Sequence, residues 1–378
     1  MDKPRLARPE EFGQVMACID QVFRPGPKKH MSIQRHYPHV YKPEYAKRLL
    51  LLHDKGHLVG HLAIHPLPIR LEDVTLKVGG LGCVGALPER RGEGIMTTLL
   101  SDAIARMRRS GYALSALGGD RQRYGWFGWE NAGMVNRYTL STRYLAKPSR
   151  AERVLKIEAY ASDPSINRRI RKWGEQHLYW QDRPMADIPL LLKRPRRRTW
   201  ICREGNRFAY VCIYQRQENP QGRNIDEAGG DPELVAAILR RLLGRFGQQQ
   251  ISASAGPNPL QLDLFHQYSD HWARHTDCML KIIDLPMLVQ ALEPLLKRKA
   301  HRAGVSGVYH FKIAGTQQTA SLKLRQGRSY TIQLSEQEMV SLFFGIHPLT
   351  DRYDDRRWCG VLKHILPLPF YWPGLNHI

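Results

Sequence analysis

Along residues 81–129 the spacing of apolar positions changes period twice, and each change predicts an element. Leu81 to Ala86 is a short apolar run that reads as a strand, stopped at Leu87 and Pro88 because proline offers no N–H for pairing. From Met96 the apolar residues Leu99, Leu100, Ala103, Ile104 and Met107 recur at spacings of three and four, the stripe of a helix lying on a sheet. Gly111 ends that helix, Tyr112 to Leu117 reads as the next strand, and the aromatic loop RYGWFGW follows.

The same reading organises the rest of the chain. Residues 9–23 carry Phe12, Val15, Met16, Ile19, Val22 and Phe23 on one side of a helix, 24–42 form an irregular proline-bearing stretch, and Glu44 to Leu52 reads as a short helix. Gly56 turns into a strand, His57 to His65, and another strand lies near Met134 to Leu140 before the linker-like LAKPSRAERV. Thr199 to Cys202, a Glu204-Gly205-Asn206 turn and Phe208 to Tyr214 form a hairpin. Asp231-Pro232-Glu233 then starts a helix with a capping aspartate and Leu234, Ala237, Ile238 and Leu242 on one face. From Cys278 come MLKIIDLPMLVQALEPLL, short strands at Tyr309 to Ile313, Ser321 to Leu324 and Tyr330 to Leu334, and a helix from Gln337 to Phe344.

Between the first strand and helix lies Arg90-Arg91-Gly92-Glu93-Gly94. A helix start leaves about four backbone N–H groups without intrahelical partners and carries roughly half a positive charge, so an anion satisfies both. Gly92 and Gly94 let the backbone approach phosphate oxygens or take positive φ, and the two arginines add cationic donors. The turn has neither the GxxxxGK[ST] pattern of a nucleotide-hydrolase loop nor the GxGxxG of a dinucleotide fold. An ordinary strand-to-helix connection is the alternative on shape alone.

Pro88-x-x-Arg91-x-x-Gly94 after an apolar strand resembles the pyrophosphate loop of GNAT acetyltransferases, with Met96 a departure from the usual small last residue. That Met96, together with a YGxFG[WY] loop, is similar to the Eis (enhanced intracellular survival) branch. The resemblance implies an α+β chain with mixed sheets in three domains: a catalytic GNAT domain over 1–145, a degenerate GNAT-like domain over 146–277, and a domain over 278–378 similar to sterol carrier protein 2. It implies acetyl-CoA as cosubstrate, held by Val84, Ala86, Arg90, Arg91, Gly92, Glu93, Gly94, Ile95 and Met96, and no second cofactor site in the middle domain, where no Arg-x-x-Gly turn follows the hairpin. In GNAT enzymes the segment between the first helices walls the acceptor pocket, so 24–42 is a candidate substrate loop, a plain surface loop being the alternative. Eis-like chains also assemble into homo-oligomers.

Composition narrows the class. Of the 378 residues, 42% are hydrophobic and 24% charged, an ordinary globular balance with no apolar run near the roughly 20 residues a bilayer needs. MDKPRLARPEEFGQV has no apolar core of a signal peptide, and the six cysteines form no CxxC pair, so a cytoplasmic setting with reduced thiols is expected. The spacing of His30, His36 and His39 is not that of a zincin, and no metal is expected. A net charge of +22, with clusters at Arg106–Arg109, Arg168–Lys172, Lys193–Arg198 and Lys297–Arg302, raises the question of nucleic acid. No zinc finger or RNP motif accompanies the clusters, which read instead as solvated faces.

An attacking amine of pKa about 10.4 must lose a proton, the tetrahedral oxyanion needs donors, and the departing thiolate must be protonated. Backbone N–H groups at Val84 and Ala86 are the expected donors. By the resemblance Tyr124 protonates the thiolate, while Trp126, Phe127 and Trp129 read as core aromatics around the turn. Asp120 either faces the acceptor or pairs with Arg121 or Arg123. The tail LPLPFYWPGLNHI is apolar and reads as buried, either as an edge of the last core or, as in Eis-like enzymes, with the α-carboxylate of Ile378 in the active site as proton acceptor. The expected activity is transfer of acetyl to a primary amine of a small molecule. Protein lysines are the rival acceptors, and a non-catalytic lipid carrier or nucleic-acid binder on a GNAT scaffold is the rival outside enzymes.

Overall fold

A computed structural model describes residues 1–24, 31–145, 155–216 and 222–378. The linker at 146–154 and part of the candidate substrate loop, 25–30, lie outside the described residues. Contacts divide the chain into one unit of Met1–Gly133, Thr276–Phe370 and Ile378, and another of Met134–His275 and Tyr371–His377.

The first unit is built on a mixed sheet. Its strands are β1 (Arg5–Leu6), β2 (Leu49–Asp54), β3 (His57–Leu71), β4 (Val74–Ala86), β5 (Leu114–Leu117) and β6 (Glu130–Ala132), ordered β1-β2-β3-β4-β5, then Cys278–Ile282, then β6. Helix α1 (Phe12–Phe23) packs Val15, Met16 and Ile19 against Leu49, Leu51 and Ala63. On the other face α3 (Ile95–Arg109), which follows a short α2 (Ile33–His36), packs Leu99, Leu100, Ala103 and Met107 against Leu50, Leu52 and Leu62. Four consecutive leucines thus serve two cores in alternation, as side chains on a strand must. The expected helix from Glu44 to Leu52 is therefore corrected to a 3-10 turn, Pro43–Arg48, running into β2. Periodicity cannot distinguish a strand buried on both faces from a buried helix segment.

Strands β3 and β4 run further than the pattern predicts, with Pro66 opposite Gly79 and Pro68 opposite Lys77 across the pair. The prolines and glycines read locally as breakers, and pairing overrides them. A separate three-stranded sheet (Gly307–Ile313, Thr319–Arg325, Ser329–Leu334) with helices Leu285–Ala303 and Glu336–Phe344 completes this unit, close to the expected elements.

The second unit has a seven-stranded sheet, ordered Ser269–His275, Val135–Ser141, Gln250–Ala255, Arg223–Gly230, Arg207–Gln215, Arg197–Glu204, Ile157–Ala159. The strand expected to close the first domain, 134–140, pairs here with Gln250–Ala255 and Ser269–His275. Conversely Cys278–Ile282 pairs with β5 and β6 of the first unit. The contact units change at Gly133 and Thr276, beside boundaries expected at 145/146 and 277/278.

Within the second unit the basic run Lys193–Arg198 is not a uniform solvated face. Arg194 is buried and donates to the carbonyl of Leu375 at 2.7 Å, and Arg197 pairs with Asp226 at 2.7 Å. Arg183, buried on Glu227, also binds the side chain of Asn376. These bonds and the burial of Trp372 and Leu375 hold the tail segment Tyr371–His377 in this unit.

Candidate active site

Strand β4 pairs in parallel with β5 at Val78, Gly79 and Gly80, against Leu114, Ser115 and Ala116. Beyond Gly80 it continues to Ala86 paired, among the described residues, only with β3, so the two parallel strands part. Beside the diverging half of β4 lies a cleft of about 560 Å³. Of the residues expected to hold the cofactor, Val84, Ala86, Arg90, Arg91, Gly92, Gly94, Ile95 and Met96 line it. Glu93 does not. Val22, Phe23, Gly85, Thr97 and Arg123 join the lining unforeseen. The only sign of Val22 and Phe23 in the sequence is that they end the apolar stripe of α1.

The turn leaves its helix start without a side-chain cap. Gly94 is the N-cap of α3 at φ 76°, a conformation costly for any residue with a β-carbon, and it offers no side chain to the first helical N–H groups. The adjacent arginines differ. Arg90 donates to Asp54 at 2.9 Å and to both oxygens of Glu93 at 2.7 Å, and these bonds hold both carboxyls below their usual range. Arg91 is exposed, lines the cleft and makes no ion pair with any described residue. Arg90 and Glu93 brace the turn, and Arg91 is the cation it presents.

Tyr124 ends a short helix, α4 (Arg121–Tyr124), capped by Asp120, whose carboxylate accepts from the backbone of Gln122 at 2.9 Å. Asp120 is thus a cap, and Arg121 pairs with Glu130 at 2.6 Å. The Tyr124 ring lies over Gly119, where a β-carbon would come within 2.5 Å of it, and meets Trp129 edge-on at 6.4 Å. Burial raises the phenol pKa against the opposing effect of Arg123, so it carries its proton at neutral pH. Trp129 is fully buried and Phe127 partly so, but Trp126 is 90% exposed, which corrects its reading as a core aromatic. The 3-10 turn Gly125–Phe127 leaves Trp126 in solvent while Phe127 packs on the core, which a count of aromatics cannot reveal.

Ile378 is half-buried and packs against the α1 core. Its Cδ1 stands 3.3 Å from where a β-carbon on Gly80 would lie, at the last pairing of β4 with β5. Sequence reading missed four further residues here. His61 and His65 are buried, with pKa values pulled down by burial to about 4 and about 3, so both are neutral, and Tyr41 stands edge-on to His65 at 5.1 Å. Cys83, between them, is pushed up to about 12 by burial and stays a thiol.

Comparison with known proteins agrees with this geometry. Residues 3–132 match the acetyltransferase (GNAT) domain family. A GCN5-related N-acetyltransferase from Anabaena variabilis is similar over 100% of both chains, at 15% identity and a TM-score of 0.67. A conserved protein from Enterococcus faecalis, described as a probable N-acyltransferase, is similar over 93% of this chain and 92% of its own, at 15% identity and a TM-score of 0.66. Eis1 from Mycobacterium abscessus is similar over 97% of this chain and 96% of its own, at 13% identity and a TM-score of 0.62. At these identities the likeness is one of fold. No functionally curated protein matches in sequence.

Proposed function

We propose that this enzyme, whose GNAT acetyltransferase domain spans residues 3–132 and takes its acyl group from acetyl-CoA, transfers acetyl to a primary amine by direct attack. The observation that carries the reading is the parting of β4 from β5 beyond Gly80, beside a glycine-capped helix start and an unpaired Arg91. The pyrophosphate lies on the N-terminus of α3 with Arg91, and the thioester runs along β4 so that backbone N–H groups at Val84 and Ala86 face its carbonyl oxygen. The amine attacks from the α1 side. Tyr124, protonated at neutral pH, gives its proton to the departing CoA sulfur. The α-carboxylate of Ile378, whose side chain lies against Gly80, accepts the proton from the amine.

The second unit is read as a degenerate GNAT domain. Its meander of three antiparallel strands (197–204, 207–215, 223–230), helix Pro232–Phe246 and parallel strand Gln250–Ala255 repeat the order β2, β3, β4, α3, β5. The three-stranded sheet with its two helices is read as the sterol-carrier-like domain, serving as a packing module.

CoA release measured with a panel of small amines tests the reading, comparing wild type, Tyr124→Phe and a chain extended by two residues past Ile378. Turnover with at least one amine, and its loss in both variants, is expected. If acetyl-CoA turns over with no acceptor, the transfer reading fails. Full activity in the extended chain removes the carboxylate alone.

A further inference from the structure

Strand β4 contains a β-bulge that two side chains hold from outside. Its register against β3 pairs Gly85 with His61 and Gly82 with Ala63, so Cys83 and Val84 together oppose the single residue Leu62. Cys83 sits at φ 48°, a left-handed conformation that is costly for a residue with a side chain. Two buried groups converge on it. His61 Nδ1 donates to the carbonyl oxygen of Cys83 at 2.8 Å, and the hydroxyl of Tyr41 donates to Cys83 Sγ at 2.9 Å. The His61 ring is neutral and carries one proton, and the carbonyl requires that proton to be on Nδ1.

The Cys83 carbonyl and the Val84 N–H belong to one peptide unit. In a trans peptide they are rigid and point in opposite directions. A carbonyl held by the His61 ring therefore fixes the Val84 N–H in the opposite direction, on the part of β4 that lies beyond its pairing with β5. Val84 lines the cleft at that point.

We propose that His61, assisted by Tyr41, is a positioning residue that clamps the Cys83 bulge and thereby aims the Val84 N–H at the thioester carbonyl. The proposal rests on the oxyanion role given to Val84 above. His61 does not touch the reacting atoms; it acts through the peptide it holds. The thiol of Cys83 takes no covalent part.

Two measurements on the full chain test it. With valine amides labelled by nitrogen-15, acetyl-CoA but not CoA should shift the Val84 resonance in the wild type, and the shift should shrink at least twofold in His61→Phe. His61→Asn, whose amide nitrogen can replace Nδ1, should restore most of it. In kinetics, His61→Phe should lower kcat roughly ten- to a hundredfold, part of what one oxyanion donor contributes, while the dissociation constant for CoA stays within threefold. Tyr41→Phe, the milder change, should lower kcat about three- to tenfold with CoA binding unchanged, and serves as the test if His61→Phe does not fold. A wild-type Val84 resonance that ignores the acetyl group overturns the oxyanion role itself. An undiminished Val84 response in His61→Phe, or losses of kcat and CoA affinity in parallel that Asn does not rescue, overturns the clamp.

Discussion

Gly94 and Asp231 are N-caps of two helices that each follow an antiparallel meander, and they treat the helix start in opposite ways. Asp231 accepts hydrogen bonds from the backbone of Glu233 and Leu234 and pairs with Arg207 at 2.8 Å, so its own carboxylate is the anion at that helix start. Gly94 supplies no side chain to its helix start, the place proposed for the pyrophosphate. Asp231→Ala should therefore cost about 1 kcal/mol of stability, read by urea denaturation, without adding a second CoA in a calorimetric titration. Gly94→Ala should cost a similar amount and weaken CoA, because the strain of φ 76° falls on the turn proposed to hold the phosphates.

The neighbouring arginines should separate in a binding experiment. Arg91→Ala removes a cation with no protein partner among the described residues and should weaken CoA at least tenfold, in line with about 1.5–3 kcal/mol for a charge-assisted hydrogen bond. Arg90→Ala should act less on affinity at low salt, since its charge is already balanced by Asp54 and Glu93. Calorimetry at two ionic strengths distinguishes them. Equal losses would mean that Arg90 leaves its carboxylates when the cofactor binds.

Tyr124→Phe should lower kcat by about 10²–10⁴ while the KM for acetyl-CoA changes little, the pattern expected when a proton donor acts only in the transition state. Because burial raises the phenol pKa above its ordinary value of about 10, the wild-type rate should show no loss from this group below about pH 10. An alkaline fall centred near pH 8 that disappears in Tyr124→Phe would contradict the assignment of the raised pKa.

Stability should depend on pH through His61 and His65. Both have folded pKa values depressed below about 6.5, so as pH falls the unfolded chain takes up protons before the folded one. Their contribution is intact above about pH 6.5 and is lost as pH falls toward 4, at about 1.4 kcal/mol per pH unit for each histidine. Urea unfolding at pH 7, 6 and 5 should show this slope, and His65→Leu should make it shallower. An unchanged slope in that variant would mean that His65 titrates normally in the fold.

Much of the lining of the cleft could be read from one contiguous stretch, because the end of β4, the glycine turn and the start of α3 are local in sequence. Gly92, Gly94 and Arg91 were recognisable because special φ values and free cations leave a mark in residue type. Glu93 was not recognisable as a brace, since only the fold shows that Arg90 reaches it and Asp54 together. Nor were His61 and Tyr41, which meet Cys83 from distant segments and carry no spacing signal. Leu49 to Leu52 misled because a strand buried on both faces has no polar side to betray its period of two. The strand at Cys278–Ile282 misled for another reason: hydrophobicity says that a segment is buried, not in which sheet.

That strand has a consequence for the order of synthesis. β5 and β6 are not neighbours until Cys278–Ile282 lies between them, so the sheet that carries the cleft lacks its connecting strand until residue 282 has left the ribosome. The catalytic half begins the chain yet is among the last parts able to close, and a fragment ending at residue 133 should expose an unpaired edge of β5 and aggregate. Expressing that fragment with and without a separately supplied 276–370 segment would reveal whether the missing strand alone restores a soluble, CoA-binding protein.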